Sequence, residues 1–73
     1  MPTLADASGT DFKVVGLTAE GSERLRLLDL GFVPGTPIKR LRTGPLGDPV
    51  AYLVRGAVIA LREEQARGIE VEA

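Results

Sequence analysis

Cysteine and histidine are both absent from this sequence. Without them there is no disulfide framework, no zinc site built from the usual sulfur and imidazole ligands, and no Cys or His nucleophile. Tryptophan is missing as well, and the aromatics amount to two Phe and one Tyr (Phe12, Phe32 and Tyr52). That is too few for both a core and the exposed aromatic groove on which proline-rich peptides stack. Neither sign of charge is in excess: 9 Lys+Arg against 10 Asp+Glu leave a formal net charge of -1. Such a balance gives no general attraction to polyanions, so no electrostatic argument favours nucleic acid as the main partner. The longest apolar run, Ala57 to Leu61, falls far short of the ~20 residues needed to span a bilayer. Met1 to Asp11 is too polar for a signal peptide. These absences predict a cytoplasmic, non-enzymatic protein with no direct membrane insertion.

What is present suits a small folded unit. The 73 residues are 44% hydrophobic and 26% charged, the balance of a globular chain rather than a disordered one. Area scaling predicts a folded surface of roughly 4,300 Å² and one thin core. The expectation is a single domain, residues 1–73, with no repeat and no linker.

Glycine and proline cut the chain into short pieces. Phe12 to Leu17 reads as a first strand, rich in β-branched and aromatic residues. Ser22 is placed as an N-cap, and Glu23 to Leu30 follows with four leucines and no β-branched residue, two turns of helix. Leu25, Leu28 and Phe32 are expected on its apolar face. Gly31 is the expected left-handed stop, with Phe32 folding back on Leu27. Val33-Pro34-Gly35-Thr36 has proline and glycine where a type II turn wants them. Ile38 to Thr43 reads as a second strand whose imperfect alternation calls for a bulge. Gly44 to Pro49 is a turn cluster in which Gly47 and Pro49 are structural. Val50 to Arg55 and Ala57 to Arg62 are a third and a fourth strand about Gly56, with Ile59 and Leu61 on one face. Glu63 to Arg67 forms a helical turn closed by Gly68, and Ile69 to Glu72 is a short last strand. The fold class is therefore mainly β: a small, partly closed SH3-like barrel of about five strands, with one short helix after the first.

Signals of chemistry are sparse. No Walker loop, dinucleotide fingerprint, His-Glu-x-x-His or EF-hand pattern occurs, so no catalytic or cofactor-binding residue is assigned. Gly44 to Gly47 matches a GxxG spacing, but between strands and with Pro45 inside, which is a hairpin loop rather than a nucleic-acid clamp. Asp48 is expected to bond backbone N–H groups within its own turn, and is the sole, weak metal candidate. Asp29 is expected to pair with Arg24 or Arg26. Arg24, Arg26, Lys39, Arg40 and Arg42 make a basic middle, while Glu63, Glu64, Glu70 and Glu72 make an acidic C-terminal region. The functional reading of that polarity is orientation on a partner.

Three segments carry a resemblance: Arg26-Leu27-Leu28-Asp29-Leu30-Gly31-Phe32-Val33-Pro34-Gly35, then Pro45-Leu46-Gly47-Asp48-Pro49, then Ile59-Ala60-Leu61-Arg62. In order and spacing they resemble the FeoA family, ferrous iron transport protein A of bacteria, from about Leu4 to Val71. The resemblance implies an SH3-like barrel acting with the membrane transporter FeoB as an accessory or regulator of iron(II) uptake. The same barrel occurs, by resemblance, at the C-terminus of metal-dependent repressors, which leaves a metal-binding or sensing module as one alternative; the basic middle strand leaves a nucleic-acid-binding barrel as another. Family-level transition-metal binding would here rest on carboxylates and backbone oxygens, hence be weak or shared between subunits, and self-association stays open. Two departures from the family pattern carry expectations of their own. Arg40 stands where an apolar strand residue is usual, which unsettles packing of the second strand. Ala7 replaces a larger apolar residue, which implies a loosely held N-terminus. The candidate partner contacts are Arg26, Phe32, Val33, Pro34, Leu46 and Asp48, with Leu46 either the apolar anchor or a lid tucked over the open barrel end.

Overall fold

A computed structural model describes residues 1–73. The chain runs β1 (Asp11–Leu17), α1 (Gly21–Asp29), β2 (Pro37–Thr43), β3 (Val50–Val54), β4 (Ala57–Leu61), α2 (Glu63–Ala66) and β5 (Ile69–Glu72). The fold is mainly β, with all five strands antiparallel in one sheet of order β4-β3-β2-β1-β5. Its accessible surface is 4392 Å².

The sheet curls because two of its strands are bulged. Register shifts occur in β1 between Val14 and Gly16, and in β2 between Arg40 and Arg42. The extra residues, Val15 and Leu41, both face out. A bulge sharpens local twist, so two of them wrap β1, β2 and β3 around one core. This accounts for the imperfect alternation of β2. Ile38 points in, Leu41 is spent on the bulge, and Arg42 emerges on the outside.

Inside the curl lie Phe12, Val14, Ile38, Tyr52, Val54, Leu61, Ile69 and Val71, each no more than 5% exposed. Leu27 and Phe32 of the α1 region and Ala66 of α2 join the same core. Each fully buried large apolar side chain contributes about 1.5–3 kcal/mol, so this set is the main stabilising term.

Several local details differ from the expectation. Helix α1 begins at Gly21, entered with φ +61°, so Ser22 lies within the first turn and no side chain caps it. The apolar face is rotated: Leu27 is fully buried while Leu25 is 64% exposed. The helix stop sets this phase, because Phe32 must fold back toward Leu27. Arg26 pairs with Glu23 at 4.0 Å rather than with Asp29, and Arg24 donates to the Leu17 carbonyl. Arg55 leaves the strand and joins Gly56 in the hairpin turn, with φ +52° and +81°. Two positive φ values are what a type I′ turn needs to match strand twist.

The N-terminus is firmly held, contrary to the expectation from Ala7. Leu4 is fully buried, and Pro2 to Leu4 runs along the outer edge of β5 through a Thr3–Glu70 bridge. Leu4 N–H donates to the Ile69 carbonyl at 2.8 Å, and Val71 N–H to that of Pro2 at 2.9 Å. Arg40 then clamps the segment. Its guanidinium donates to the carbonyls of Leu4, Ala7 and Gly9 at 3.1, 2.9 and 3.0 Å. It also stands 5.1 Å from the centroid of the Phe12 ring. So Arg40 does not disturb β2; it satisfies three carbonyls that no strand reaches, and stacks on an aromatic face while doing so.

Candidate partner-binding surface

The first part of the surface is built by the helix stop. Gly31 has φ +109°, and the N–H groups of Gly31 and Phe32 donate to the carbonyls of Leu28 and Leu27, both at 3.0 Å. These are the two bonds of a Schellman stop. Val33 then opens the reversal: Thr36 N–H donates to the Val33 carbonyl at 3.0 Å across Pro34 and Gly35, with Gly35 at φ +92°. Two further bonds tie the turn to β1, Gly35 N–H to Val14 O at 2.8 Å and Val14 N–H to Thr36 O at 3.0 Å. Val33 and Pro34 thus line a shallow groove of about 620 Å³. Its far wall is Leu53, Arg55 and Gly56.

The second part is the loop between β2 and β3. Gly44 N–H donates to Pro49 O at 2.8 Å, and Gly47 N–H to Gly44 O at 3.0 Å, with Gly47 at φ +87°. A Cβ on Gly44 would stand 2.9 Å from the Pro49 carbonyl oxygen, so the loop neck closes only around glycine. The Asp48–Pro49 bond is cis. At the tip Leu46 is 97% exposed. It touches no core, which rules out a lid over the barrel end. Asp48 does not serve its own turn: its carboxylate accepts from Glu63 N–H at 2.9 Å and faces Arg62 at 3.6 Å, fastening the loop to α2.

The sequence-derived contact residues therefore do not form one patch. The turn precedes β2 and the loop follows it, so seven strand residues, roughly 23 Å at 3.3 Å each, separate them. Val33 and Pro34 sit at one end and Leu46 and Asp48 at the other. Arg26 lies exposed on the last turn of α1. Phe32 is fully buried and offers a partner no surface, because the Schellman stop commits its ring to the core. Leu53, 36% exposed in the groove wall, is a surface residue the contact set lacks; its signal is the alternation of Leu53 with Tyr52 and Val54 along β3.

Electrostatics and donor chemistry narrow the readings further. The basic middle is not a continuous patch, since Arg40 is folded onto the N-terminal segment and Lys39 lies opposite Asp11. No three His, Cys, Asp or Glu side chains converge to hold a metal. Burial pushes the Tyr52 phenol above its ordinary range; a hydrogen bond from Arg40 and its charge oppose this, while Asp48 adds to it. No helix is long and apolar enough to cross a membrane.

Residues 3–73 match the FeoA domain. The chain belongs to the FeoA family. A FeoA protein of Chlorobium tepidum, solved in solution, shares 38% identity at a TM-score of 0.85, covering 96% of this chain and 68% of that one. Stenotrophomonas maltophilia FeoA, crystallised with zinc and described as a procaryotic SH3 domain protein, shares 27% identity at a TM-score of 0.83, covering 99% and 91%. The barrel is thus the SH3-like fold of FeoA proteins. A Porphyromonas gingivalis protein named as a fusion of Fe(2+) transport protein A with the Fe(2+) transporter FeoB is 38% identical over 65 residues. That match takes 89% of this chain and only 8% of the fusion protein's length. Membership associates the chain with ferrous iron transport.

Proposed function

We propose that this FeoA chain, one domain over residues 1–73, is a cytoplasmic accessory or regulatory component of ferrous iron uptake. It works by binding the cytosolic part of a FeoB-type transporter and not by catalysis. The observation that carries the reading is the fusion relative, in which a FeoA-like segment and FeoB are one polypeptide. Covalent linkage keeps two modules at high effective concentration, an arrangement suited to parts that work in contact. Leu46 supplies the anchor: a large apolar side chain, 97% exposed on a loop whose neck is closed and whose base is fastened to α2. An anchor presented on a rigid base loses little freedom on binding, which is where interface energy concentrates. Pro34 and Val33 form a second, subsidiary contact at the other end of β2.

The test is binding of the purified chain to the FeoB cytosolic domain by calorimetry, with and without iron(II). Leu46→Ala is expected to weaken binding by about tenfold or more, as loss of an anchor does, with its melting temperature near that of the parent. Normal binding by a folded Leu46→Ala, together with lost binding in Arg42→Ala, would move the contact to β2. No binding by the parent chain would remove FeoB as the partner.

The zinc in the S. maltophilia protein favours a second reading, a metal-binding module. Here Asp48 is already engaged by Glu63 N–H and Arg62, and it belongs to no group of three or more carboxylates that could hold a metal. Any transition metal is accordingly held weakly or between subunits. A single submicromolar zinc or iron(II) site per monomer in calorimetry would overturn that statement.

A further inference from the structure

The groove between the helix-stop turn and the β3–β4 turn carries more than apolar walls. Two cations line it, Lys39 from β2 and Arg55 from the turn, against one carboxylate, Asp11. Neither cation is in an ion pair; the pairs in the molecule are Arg26–Glu23, Arg62–Asp48 and Arg67–Glu63. Asp11 lies beside Lys39 across the β1–β2 pairing and accepts from the Thr10 hydroxyl at 3.1 Å. Arg55 belongs to the opposite wall, with β2 and β3 between its turn and Asp11.

Arg55 is also the one non-glycine residue with positive φ, +52°, at a turn position that favours Asn, Asp or Gly. Its stem is laid down rather than free: Cδ and Cγ lie 3.3 and 3.8 Å from where a Cβ on Gly31 would stand. An arginine packed in this way loses less freedom when its head group binds. Thr36 adds a second, independent observation. It is 8% exposed, the one buried polar residue, and it lines the groove. Its hydroxyl takes part in none of the side-chain hydrogen bonds of the fold. Nor is it sealed in, since the one partnerless side-chain polar atom shut off from solvent is Glu23 Oε1. The Thr36 hydroxyl is therefore a free donor open to the groove, where buried polar groups ordinarily find a partner.

We propose that this groove receives an extended acidic peptide segment. A carboxylate of the segment meets Arg55 and Lys39, the Thr36 hydroxyl donates to the segment, and an apolar side chain rests on Val33, Pro34 and Leu53. Charge selects this occupant. A neutral or basic segment would cover two cations without pairing them, a cost that discriminates against it. A nucleic acid needs a run of phosphate contacts, which two cations beside a carboxylate do not offer. The ligand chemistry stands by itself; that the segment belongs to the cytosolic part of a FeoB-type transporter rests on the reading above.

The test follows backbone amide shifts of the whole chain with an amide-capped peptide of alternating leucine and glutamate, its glutamine counterpart being the control. The glutamate peptide is expected to give saturable shifts centred on Thr36, Lys39 and Gly56, and the glutamine peptide to bind about fivefold more weakly or worse. Arg55→Asn places the preferred residue in the turn, so it should melt no earlier than the parent while losing that preference. Thr36→Val keeps the shape and removes only the unpartnered hydroxyl. It should weaken peptide binding about threefold without lowering the melting temperature. Equal affinity for the two peptides, no shift at these amides up to about 5 mM peptide, or a preference undiminished in Arg55→Asn would each overturn the proposal. So would phosphatidylglycerol vesicles shifting the same amides where the peptides do not, which would give the cations to a lipid surface. Peptide binding without binding of the FeoB cytosolic domain would uphold the groove and remove the transporter as the source of the segment. FeoB binding that is lost in Leu46→Ala, with no peptide shift, would keep the transporter reading and overturn the groove.

Discussion

The two ends of β2 are made of the same residue types, apolar side chains framed by proline and glycine, yet they do opposite things with them. At the entry end, Phe32 is drawn into the core by two backbone bonds at the helix stop, and the turn is stitched to β1 by two more. At the exit end, the loop closes on itself around Gly44 and holds Leu46 in solvent, with Asp48 its one side-chain tie to the rest of the molecule. The difference lies in where the backbone hydrogen bonds go. A turn bonded to neighbouring elements carries its side chains into the core; a turn bonded only to itself can present them.

Substitutions at the two ends should therefore separate stability from binding. The largest expected effect is Gly31→Ala. Its φ of +109° disfavours any side chain, and the new methyl would stand 3.1 Å from Val54 Cγ1. A loss of about 2 kcal/mol, from strain and overpacking, should appear as a large fall in melting temperature. A parent-like melting curve would mean that the entry end is not locked as described. Next comes Asp48→Ala, which removes an acceptor from the Glu63 N–H and should cost about 1 kcal/mol. Amide exchange at Glu63 should quicken, and the effect should vanish if the loop is in truth fastened elsewhere.

A smaller effect is confined to alkaline solution. Burial raises the Tyr52 pKa in the folded state. Above about pH 10 the unfolded chain releases this proton while the folded chain keeps it. Stability is thus intact below pH 10 and falls as pH rises toward the folded value. Tyr52→Phe should flatten that decline in denaturant titrations across pH 9 to 11. The smallest expected change is in the stability of Leu46→Ala, within about 0.5 kcal/mol, as for a surface position. A markedly earlier melt would erase the contrast between the ends.

Strand positions were legible because Gly and Pro mark nearly every boundary and because β3 and β5 alternate cleanly. The helix stop was legible for a different reason: Gly31 and the Pro34-Gly35 pair admit few backbone conformations. The helix phase was not, since Leu25, Leu27, Leu28 and Leu30 offer several apolar faces and only the packing of Phe32 on Leu27 selects one. Arg40 was misread because a strand arginine beside Lys39 and Arg42 looks like surface charge. Its three carbonyl partners lie 31, 33 and 36 residues away, beyond any local pattern. The N-terminal segment was missed for the same cause, since its bonds run to β5. Leu46 stands out as an apolar residue at a loop tip, whereas Phe32 carries two opposed signs, the apolar helix face behind Gly31 and the neighbouring exposed turn, and the helix-stop bonds decide for the core.

The place of β1 in the sheet has a consequence for how the fold is reached. The first strand of the chain lies between β2 and β5, and the segment before it bonds to Ile69 and Val71. The hairpins β2–β3 and β3–β4 need only short loops to close, whereas the β1–β5 seam joins residues 52 to 59 positions apart, from Leu17–Ile69 to Lys13–Glu72. Loop entropy opposes such distant pairing until most other contacts exist. On the ribosome, β2, β3 and β4 can assemble as they emerge, while β1 keeps one bare edge until the final strand is released. During synthesis this bare flank of β1 is thus an added aggregation hazard, and it is covered when Ile69 to Glu72 arrives.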